Sequence, residues 1–185
     1  MVEVKINGLF LTQSQASGVI LKEIDGDRTL PIIIGEYEAQ SIALGLEDIK
    51  PPRPITHDLT LSIIESLNAQ IERVVVTDLR NNTYFAIIYL RTPEGVQEID
   101  ARPSDAIALA VRRNVPIFVE EEVMRKGAYT PEELQEIDES QAQSESPKSR
   151  LEELQKQLQE AVEKEEYEKA AKIRDEIKRL ESRQS

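Results

Sequence analysis

The fold class is decided by residues 74–90, which read VVVTDLRNNTYFAIIYL. The β-branched and aromatic residues on both sides of Asn81-Asn82 are typical of β-strands. Asparagine tolerates the left-handed backbone that a tight hairpin turn requires. The segment therefore predicts two antiparallel strands joined at Asn81-Asn82.

The strands predicted on either side of this hairpin also come in antiparallel runs. Alternating apolar and polar residues from Val2 onward predict a strand that bends at Gly8. Asp25-Gly26-Asp27 lies between two apolar runs and predicts a second hairpin. Residues 96–101 and 116–119 add two further predicted strands.

Helices interrupt these strands. Helical spacing of apolar residues predicts helices over residues 36–46, 56–67, 104–113 and 120–126. In the second helix Thr56 is the expected N-cap, and one face is lined by Leu59, Ile63, Ile64 and Leu67. Because strands and helices do not alternate strictly, we predict an α+β fold in which helices pack on a mostly antiparallel sheet.

The composition excludes several classes of protein. The chain has 23 Lys and Arg residues against 35 Asp and Glu residues, so its net charge of −12 disfavours broad electrostatic capture of nucleic acid. It has no cysteine, and its single histidine, His57, excludes a zinc site built on several imidazoles within one chain. Because neither a membrane-spanning apolar run nor a signal peptide is present, we expect a cytoplasmic protein without membrane contact.

The acidic charge is unevenly distributed along the chain. Residues 1–127 carry 13 basic and 19 acidic side chains, so half of the net charge lies elsewhere. Residues 139–149 are almost entirely polar and predict a flexible acidic linker. We therefore expect a domain over residues 1–138, this linker, and a C-terminal αα-hairpin over residues 150–182.

Acidic side chains stand at the start of three predicted helices. They are Glu36 and Glu38 in the first helix, Asp58 in the second and Asp105 in the third. An acid in the first helical turn interacts favourably with the helix dipole. That interaction alone explains these residues without any catalytic role.

Two segments add basic side chains to these carboxylates. Their members are Arg53, His57 and Asp58 in residues 51–58, and Asp100, Arg102 and Asp105 in residues 100–105. Helix N-termini and arginine forks bind phosphate, and converging carboxylates hold Mg²⁺ or Mn²⁺. These are the parts that metal-assisted phosphodiester hydrolysis needs. A salt bridge from Arg53 to Asp105, or from Arg102 to Asp58, would instead make the same residues structural.

Four separated segments resemble the hallmark segments of the bifunctional nuclease (BFN) domain family. They are LPIIIG at residues 30–35, RPITHDL at 53–59, IDARPSDAIALA at 99–110 and VPI at 115–117. Four motifs in the right order make the resemblance specific, and it covers roughly residues 2–127. The resemblance implies an α+β domain, found in bacteria and plants, with DNase and RNase activity ascribed to some plant members.

The resemblance points to site residues for a first hypothesis, a divalent-metal-dependent nuclease. The candidate ligands of Mg²⁺ or Mn²⁺ are Glu36, Glu38, Asp58, Asp100 and Asp105. Arg53 and Arg102 would hold phosphate, and His57 would act as base or leaving-group acid. The catalytic candidates are His57, Asp58, Arg102 and Asp105. Nucleic acid would then bind weakly and depend on the metal.

A second resemblance lies near the C-terminus. Residues 167–177, YEKAAKIRDEI, resemble the UVR motif, the hairpin through which the UvrB and UvrC repair subunits associate. This resemblance implies contact with a UVR-containing protein or with a second copy, and we expect a homodimer. It also supports a second hypothesis, a non-catalytic adaptor or small-anion-binding regulatory protein that works through the hairpin.

Overall fold

The structure is a computed structural model that describes residues 1–12, 16–133 and 174. In this part of the chain the strands are β1 (Val2–Leu11), β2 (Ser17–Glu23), β3 (Thr29–Ile34), β4 (Gln70–Arg80), β5 (Thr83–Thr92), β6 (Gly95–Ala101) and β7 (Ile117–Val119). The helices are α1 (Glu36–Leu46), α2 (Thr56–Ser66), α3 (Pro103–Arg113) and α4 (Glu121–Gly127). These elements all lie in one compact unit, Met1–Pro131.

The strands form a single seven-stranded sheet in the order β3-β2-β1-β7-β4-β5-β6. The short strand β7 lies at its centre, antiparallel to β1 and parallel to β4. All other neighbours in the sheet pair antiparallel. The predicted α+β class with a mostly antiparallel sheet is therefore confirmed.

The turns of the sheet agree with the sequence. Asn81 and Asn82 have φ values of 49° and 59° and join β4 to β5 in the predicted hairpin. Positive φ at both turn residues is the conformation that asparagine tolerates better than most residues. In β1 the register shifts between Ile6 and Gly8, and Gly8 has a φ of 150°, so the predicted bend is a bulge.

Helix α3 is the centre of the core. It contacts α1, α2, β4 and β5, and its central residues are almost completely buried. Ala106, Ala108 and Ala110 are small, which lets the helix lie close to its neighbours. Ile107 of α3 and Ile42 of α1 are both fully buried. This packing brings the beginnings of α1, α2 and α3 into one region.

Helix α2 differs from its prediction in two respects. Its N-cap is Ile55, and Thr56 is already the first helical residue. Of the face predicted from the sequence, Ile64 does pack against the core, but Leu59, Ile63 and Leu67 are between 51% and 67% exposed in the described unit. Leu61, which lies outside that face, is buried. Spacing alone marks both sides of α2 as apolar, and packing against α3 buries only the side that carries Leu61.

Several predictions lie outside the described residues. These include the linker over residues 139–149, and the predicted hairpin over residues 150–182, of which only Arg174 is described. Within the described part of the chain, no helix combines the length and apolar character needed to cross a membrane.

Candidate functional site

The site is built where α1, α2 and α3 begin. Helix α1 follows β3 directly, α3 follows β6, and α2 follows the proline-rich loop after α1. Helices α1 and α2 both contact α3, and their first turns lie near its N-terminus. One hydrogen-bonded cluster joins the three helices, and we call it the His57 network. Its members are Glu38, Ser41, His57, Asp58, Arg102, Asp105 and Arg112.

His57 lies in the middle of this network. Its Nδ1 is 2.8 Å from Ser41 Oγ, and its Nε2 is 3.2 Å from Asp105 Oδ1. Arg112 donates from Nη2 to the same Ser41 Oγ at 3.1 Å. The ionised Asp105 can only accept, so it requires the proton of the neutral ring on Nε2, and Ser41 then donates to Nδ1. The neutral ring then carries its proton on Nε2 and donates it to Asp105.

Arg102 forms the exposed end of the network. Its Nε donates to Asp105 Oδ2 at 2.7 Å and its Nη2 to Asp105 Oδ1 at 3.1 Å. Its Nη1 donates to Glu38 Oε1 at 3.0 Å. The side chain is 65% exposed. A guanidinium has five N–H groups, so two of them remain for a ligand.

Arg112 forms the buried end. Its side chain is 8% exposed, and its Nε donates to Asp58 Oδ1 at 2.9 Å. Its Nη1 donates to the Ala108 carbonyl at 2.6 Å. Asp58 Oδ2 accepts from the Ile55 backbone N–H at 3.1 Å at the start of α2. Asp58 thus balances a buried cation and caps a helix.

Both aspartates of the network are held in their ionised form. Burial raises the pKa of Asp105, but hydrogen bonds from Arg102 and His57 lower it by a larger amount, so the net shift of this pKa is downward. Burial also raises the pKa of Asp58, and Arg112 with the Ile55 N–H more than offsets that effect. In turn Asp105 and Glu38 raise the pKa of the Arg102 guanidinium. The network therefore holds fixed charges at neutral pH.

The structure brings together only part of the predicted site. The predicted residues that it places in the network are Glu38, His57, Asp58, Arg102 and Asp105. Glu36, Arg53 and Asp100 are exposed, and their side chains form no hydrogen bond or ion pair with a described residue. The two salt bridges considered from the sequence are wrong, because Arg102 pairs with Asp105 and Asp58 pairs with Arg112.

The same ion pairs bear on the predicted cation site. Among residues 1–12, 16–133 and 174, no three histidine or carboxylate side chains are grouped so that they could hold a metal ion. Arg102 pairs with Glu38 Oε1 and both oxygens of Asp105, and Arg112 pairs with Asp58 Oδ1. Positioned in this way, the carboxylates do not fit Mg²⁺ or Mn²⁺, which need several oxygen ligands around one point.

Sequence reasoning missed Ser41 and Arg112. Ser41 follows Glu38 by three residues, and Arg112 follows Asp105 by seven, so each lies on the same helical face as a predicted site residue. This helical spacing is the feature of the sequence that could have identified Ser41 and Arg112 as members of the site. Arg112 had an adequate local explanation as a cation at the C-terminus of α3, where the helix dipole favours it.

Comparison with known proteins gives the family. Residues 19–133, which contain every member of the His57 network, match the family model for the bifunctional nuclease domain. This match covers more than half of the chain. The chain belongs to the bifunctional nuclease domain family. Residues 148–183 match the model for the UvrB/uvrC motif, so both resemblances predicted from the sequence are confirmed.

Relatives of this bifunctional nuclease domain occur in bacteria and plants. An uncharacterized protein of Mycobacterium tuberculosis is 42% identical over 139 residues, which are 74% of this chain and 82% of the relative. Bifunctional nuclease 1 of Oryza sativa subsp. indica is 32% identical over 115 residues, 60% of this chain and 34% of the relative. Bifunctional nuclease 2 of Arabidopsis thaliana is 32% identical over 107 residues, 56% of this chain and 32% of the relative. The matched part is thus about a third of each plant protein.

Proposed function

We propose that this bifunctional nuclease domain hydrolyses phosphodiester bonds of nucleic acid at the exposed end of the His57 network. The observation that carries the proposal is the contact between His57 Nε2 and Asp105 Oδ1, which lies beside the exposed guanidinium of Arg102. A proton carrier, a carboxylate and a phosphate-binding cation are thereby placed side by side. The plant relatives named bifunctional nucleases support the same reaction class.

Each group has a role that follows from its position. Hydrolysis bonds the oxygen of water to phosphorus, breaks the ester bond, and leaves one proton to be taken from water and one to be given to the leaving oxygen. Asp105 takes the first proton. His57 gives the second from Nε2 while it carries a proton on each ring nitrogen, with Nδ1–H donated to Ser41 Oγ. The proton on Asp105 then returns to His57 Nε2 across their hydrogen bond. Arg102 stabilises the charge that develops on the phosphate.

The contact with nucleic acid is local in this proposal. A chain with a net charge of −12 repels a long polyanion, so binding must come from a few cations. Arg102 has two unused N–H groups, and the exposed Arg53 has no ion pair with a described residue. We expect weak binding that falls further as salt concentration rises.

Dependence on Mg²⁺ or Mn²⁺ is a separate proposal that comes from the sequence. None of the steps above needs the cation. A cation held by Asp105 would have to displace Arg102 from its two hydrogen bonds. Cleavage measured in EDTA, with Mg²⁺ and with Mn²⁺ decides between metal-dependent and metal-independent hydrolysis.

The test is cleavage of labelled single- and double-stranded DNA and RNA by the full chain. His57→Gln should lower the rate at least a hundredfold, because acid–base catalysis contributes roughly 10²–10⁴. Ser66→Ala, an exposed change on α2, is the matched control and should cleave at the original rate. Equal cleavage by the His57→Gln protein would identify a contaminating nuclease and remove the proposal.

The second candidate is a non-catalytic adaptor or small-anion-binding regulatory protein. It is favoured by the ion pairs that already satisfy Glu38, Asp58 and Asp105. Such a protein would cleave no nucleic acid under any metal condition while remaining folded. The cleavage test therefore separates the two functions.

We further propose that residues 150–182 contact a second copy or another UVR-containing protein. The match to the UvrB/uvrC motif over residues 148–183 supports this role. Light scattering of the full chain should give the mass of a homodimer, and a chain that ends at residue 149 should give the mass of a monomer. An unchanged mass after truncation would show that the hairpin is not the dimer interface.

A further inference from the structure

A cavity of about 330 Å³ opens next to the exposed end of the His57 network. Arg102 belongs both to the network and to the wall of the cavity. The other walls are the end of β3, the Asn82-Thr83 turn with Tyr84, and the first residues of α3. Since one water occupies roughly 30 Å³ of liquid, the cavity has room for about ten waters or a group of similar size.

Ser104 is the first sign that this cavity takes a ligand. It is 5% exposed and lines the cavity, yet its hydroxyl forms no hydrogen bond with any described residue. The Oγ atom itself is not fully buried, so it reaches solvent through the cavity. This hydroxyl is left free to bond to whatever occupies the cavity.

The backbone around Ser104 also offers hydrogen-bond donors to a ligand. Ser104 is the second residue of α3, and no side chain caps the N-terminus of this helix. The first backbone N–H groups of a helix have no partner within it, and they attract anions together with the helix dipole. Pro103 contributes no N–H group, so the donors are those of Ser104 and Asp105.

Arg102 supplies further donors from another wall. It lines the cavity, and two of its five N–H groups form no hydrogen bond with a described residue. The Tyr84 hydroxyl does not contribute, because it lies beside Gly127, which is not part of the cavity wall. The cavity therefore presents donors from Ser104 and Arg102.

We propose that this cavity binds a phosphate group of the nucleic acid, with Ser104 and Arg102 as its donors. The proposal rests on the proposed function in assigning that phosphate to the substrate. A phosphate suits the cavity because it only accepts hydrogen bonds and has oxygens in several directions. Glu38 and Asp105 already neutralise Arg102, so hydrogen bonds and not net charge supply the affinity. Binding should be correspondingly modest.

The experiment is an NMR titration of the isotope-labelled full chain with thymidine 5′-monophosphate. This probe has a phosphate but no phosphodiester, so binding is measured without cleavage. The backbone amide signals of Ser104 and Asp105 should move on titration, and thymidine without phosphate should leave them in place. Ser104→Ala and, independently, Arg102→Gln should each weaken binding about tenfold, the usual cost of one hydrogen bond to a charged group.

Ser66→Ala removes an exposed serine hydroxyl from α2 and should bind the probe like the original chain. The proposal is overturned if no shift occurs at millimolar probe, if thymidine binds equally well, or if both variants keep the original affinity. If the variants lose binding but the original chain cleaves no nucleic acid, the phosphate site stands and the proposed nuclease function is wrong. If the original chain cleaves nucleic acid but the variants bind the probe normally, the nuclease function stands and the phosphate site is wrong.

Discussion

Arg112 donates a hydrogen bond from its buried guanidinium to the hydroxyl of Ser41, 71 residues away, at 3.1 Å. The ionised Asp105 sets the proton of neutral His57 on Nε2, and Ser41, held by Arg112, supports this tautomer by donating to Nδ1. In the neutral ring, Nε2, the nitrogen that contacts Asp105, is thereby kept protonated. Ser41 and Arg112 act in this way as positioning residues for His57.

The tautomer of His57 is directly measurable because the chain has a single histidine. Nitrogen-15 NMR should show the Nε2–H form in the neutral ring of the original protein. Ser41→Ala removes the donor to Nδ1 and should increase the share of the Nδ1–H form, although Asp105 still favours Nε2–H. Cleavage should fall together with this change.

Ser62→Ala is the control for this measurement, since Ser62 is exposed and its hydroxyl bonds only to the Asp58 carbonyl among described residues. The same tautomer in the Ser41→Ala and original proteins would contradict the positioning role. A fall in stability alone would not reproduce the spectroscopic change.

Asp58 should make stability depend on pH. Its pKa is lowered in the folded state from an ordinary value of 3.8, so its stabilisation is complete above about pH 4. It is lost as pH falls through the lowered folded pKa. Asp58→Asn leaves the buried Arg112 without its charge partner and should cost about 2 kcal/mol in the free energy of unfolding at pH 7.

Denaturant unfolding at pH 7 and pH 3 measures this cost. The difference between Asp58→Asn and the original chain should shrink at the lower pH. Asp100→Asn, on an exposed carboxylate without a partner in the described part of the chain, should change stability by less than about 0.5 kcal/mol. A cost for Asp58→Asn that does not vary with pH would exclude the ion pair as its origin.

The Asn81-Asn82 turn should discriminate between glycine and alanine. Asn82 has a φ of 59°, a region that costs alanine about 1 kcal/mol and glycine nothing. Asn82→Ala should therefore be destabilised by about 1 kcal/mol in thermal or denaturant unfolding, while Asn82→Gly keeps the original stability. Equal stabilities of the two variants would mean that the turn has another conformation in solution.

Two isoleucines should respond differently to truncation. Ile42 of α1 is fully buried, so Ile42→Ala should cost about 3 kcal/mol in unfolding free energy. Ile63 of α2 is 51% exposed, so Ile63→Ala should cost less than about 1 kcal/mol. A cost at Ile63 close to that at Ile42 would show that this face of α2 is covered in the full chain.

Local patterns predicted the elements well. The bounds of α1 and the position of the Asn81-Asn82 turn follow from apolar spacing and turn chemistry over a few residues. The exposed face of α2 could not be predicted, because which of its two apolar sides is buried depends on packing against α3.

The site was predictable only in part, because it also depends on how the helices pack against one another. The N-terminal position of Asp105 and the uniqueness of His57 are visible in the sequence, and the two side chains do meet. The partners of Arg102 and Asp58 depend on how three helices cross, which spacing does not encode. Ser41 has no local feature that separates it from any other helical serine.

The central strand β7 is also the last strand of the sheet to leave the ribosome. Strands β1 to β3 and β4 to β6 are each complete meanders before residues 117–119 are synthesised. Until β7 inserts, β1 and β4 are open edges that invite pairing with other chains. We therefore expect a nascent chain stalled before Ile117 to be prone to aggregation.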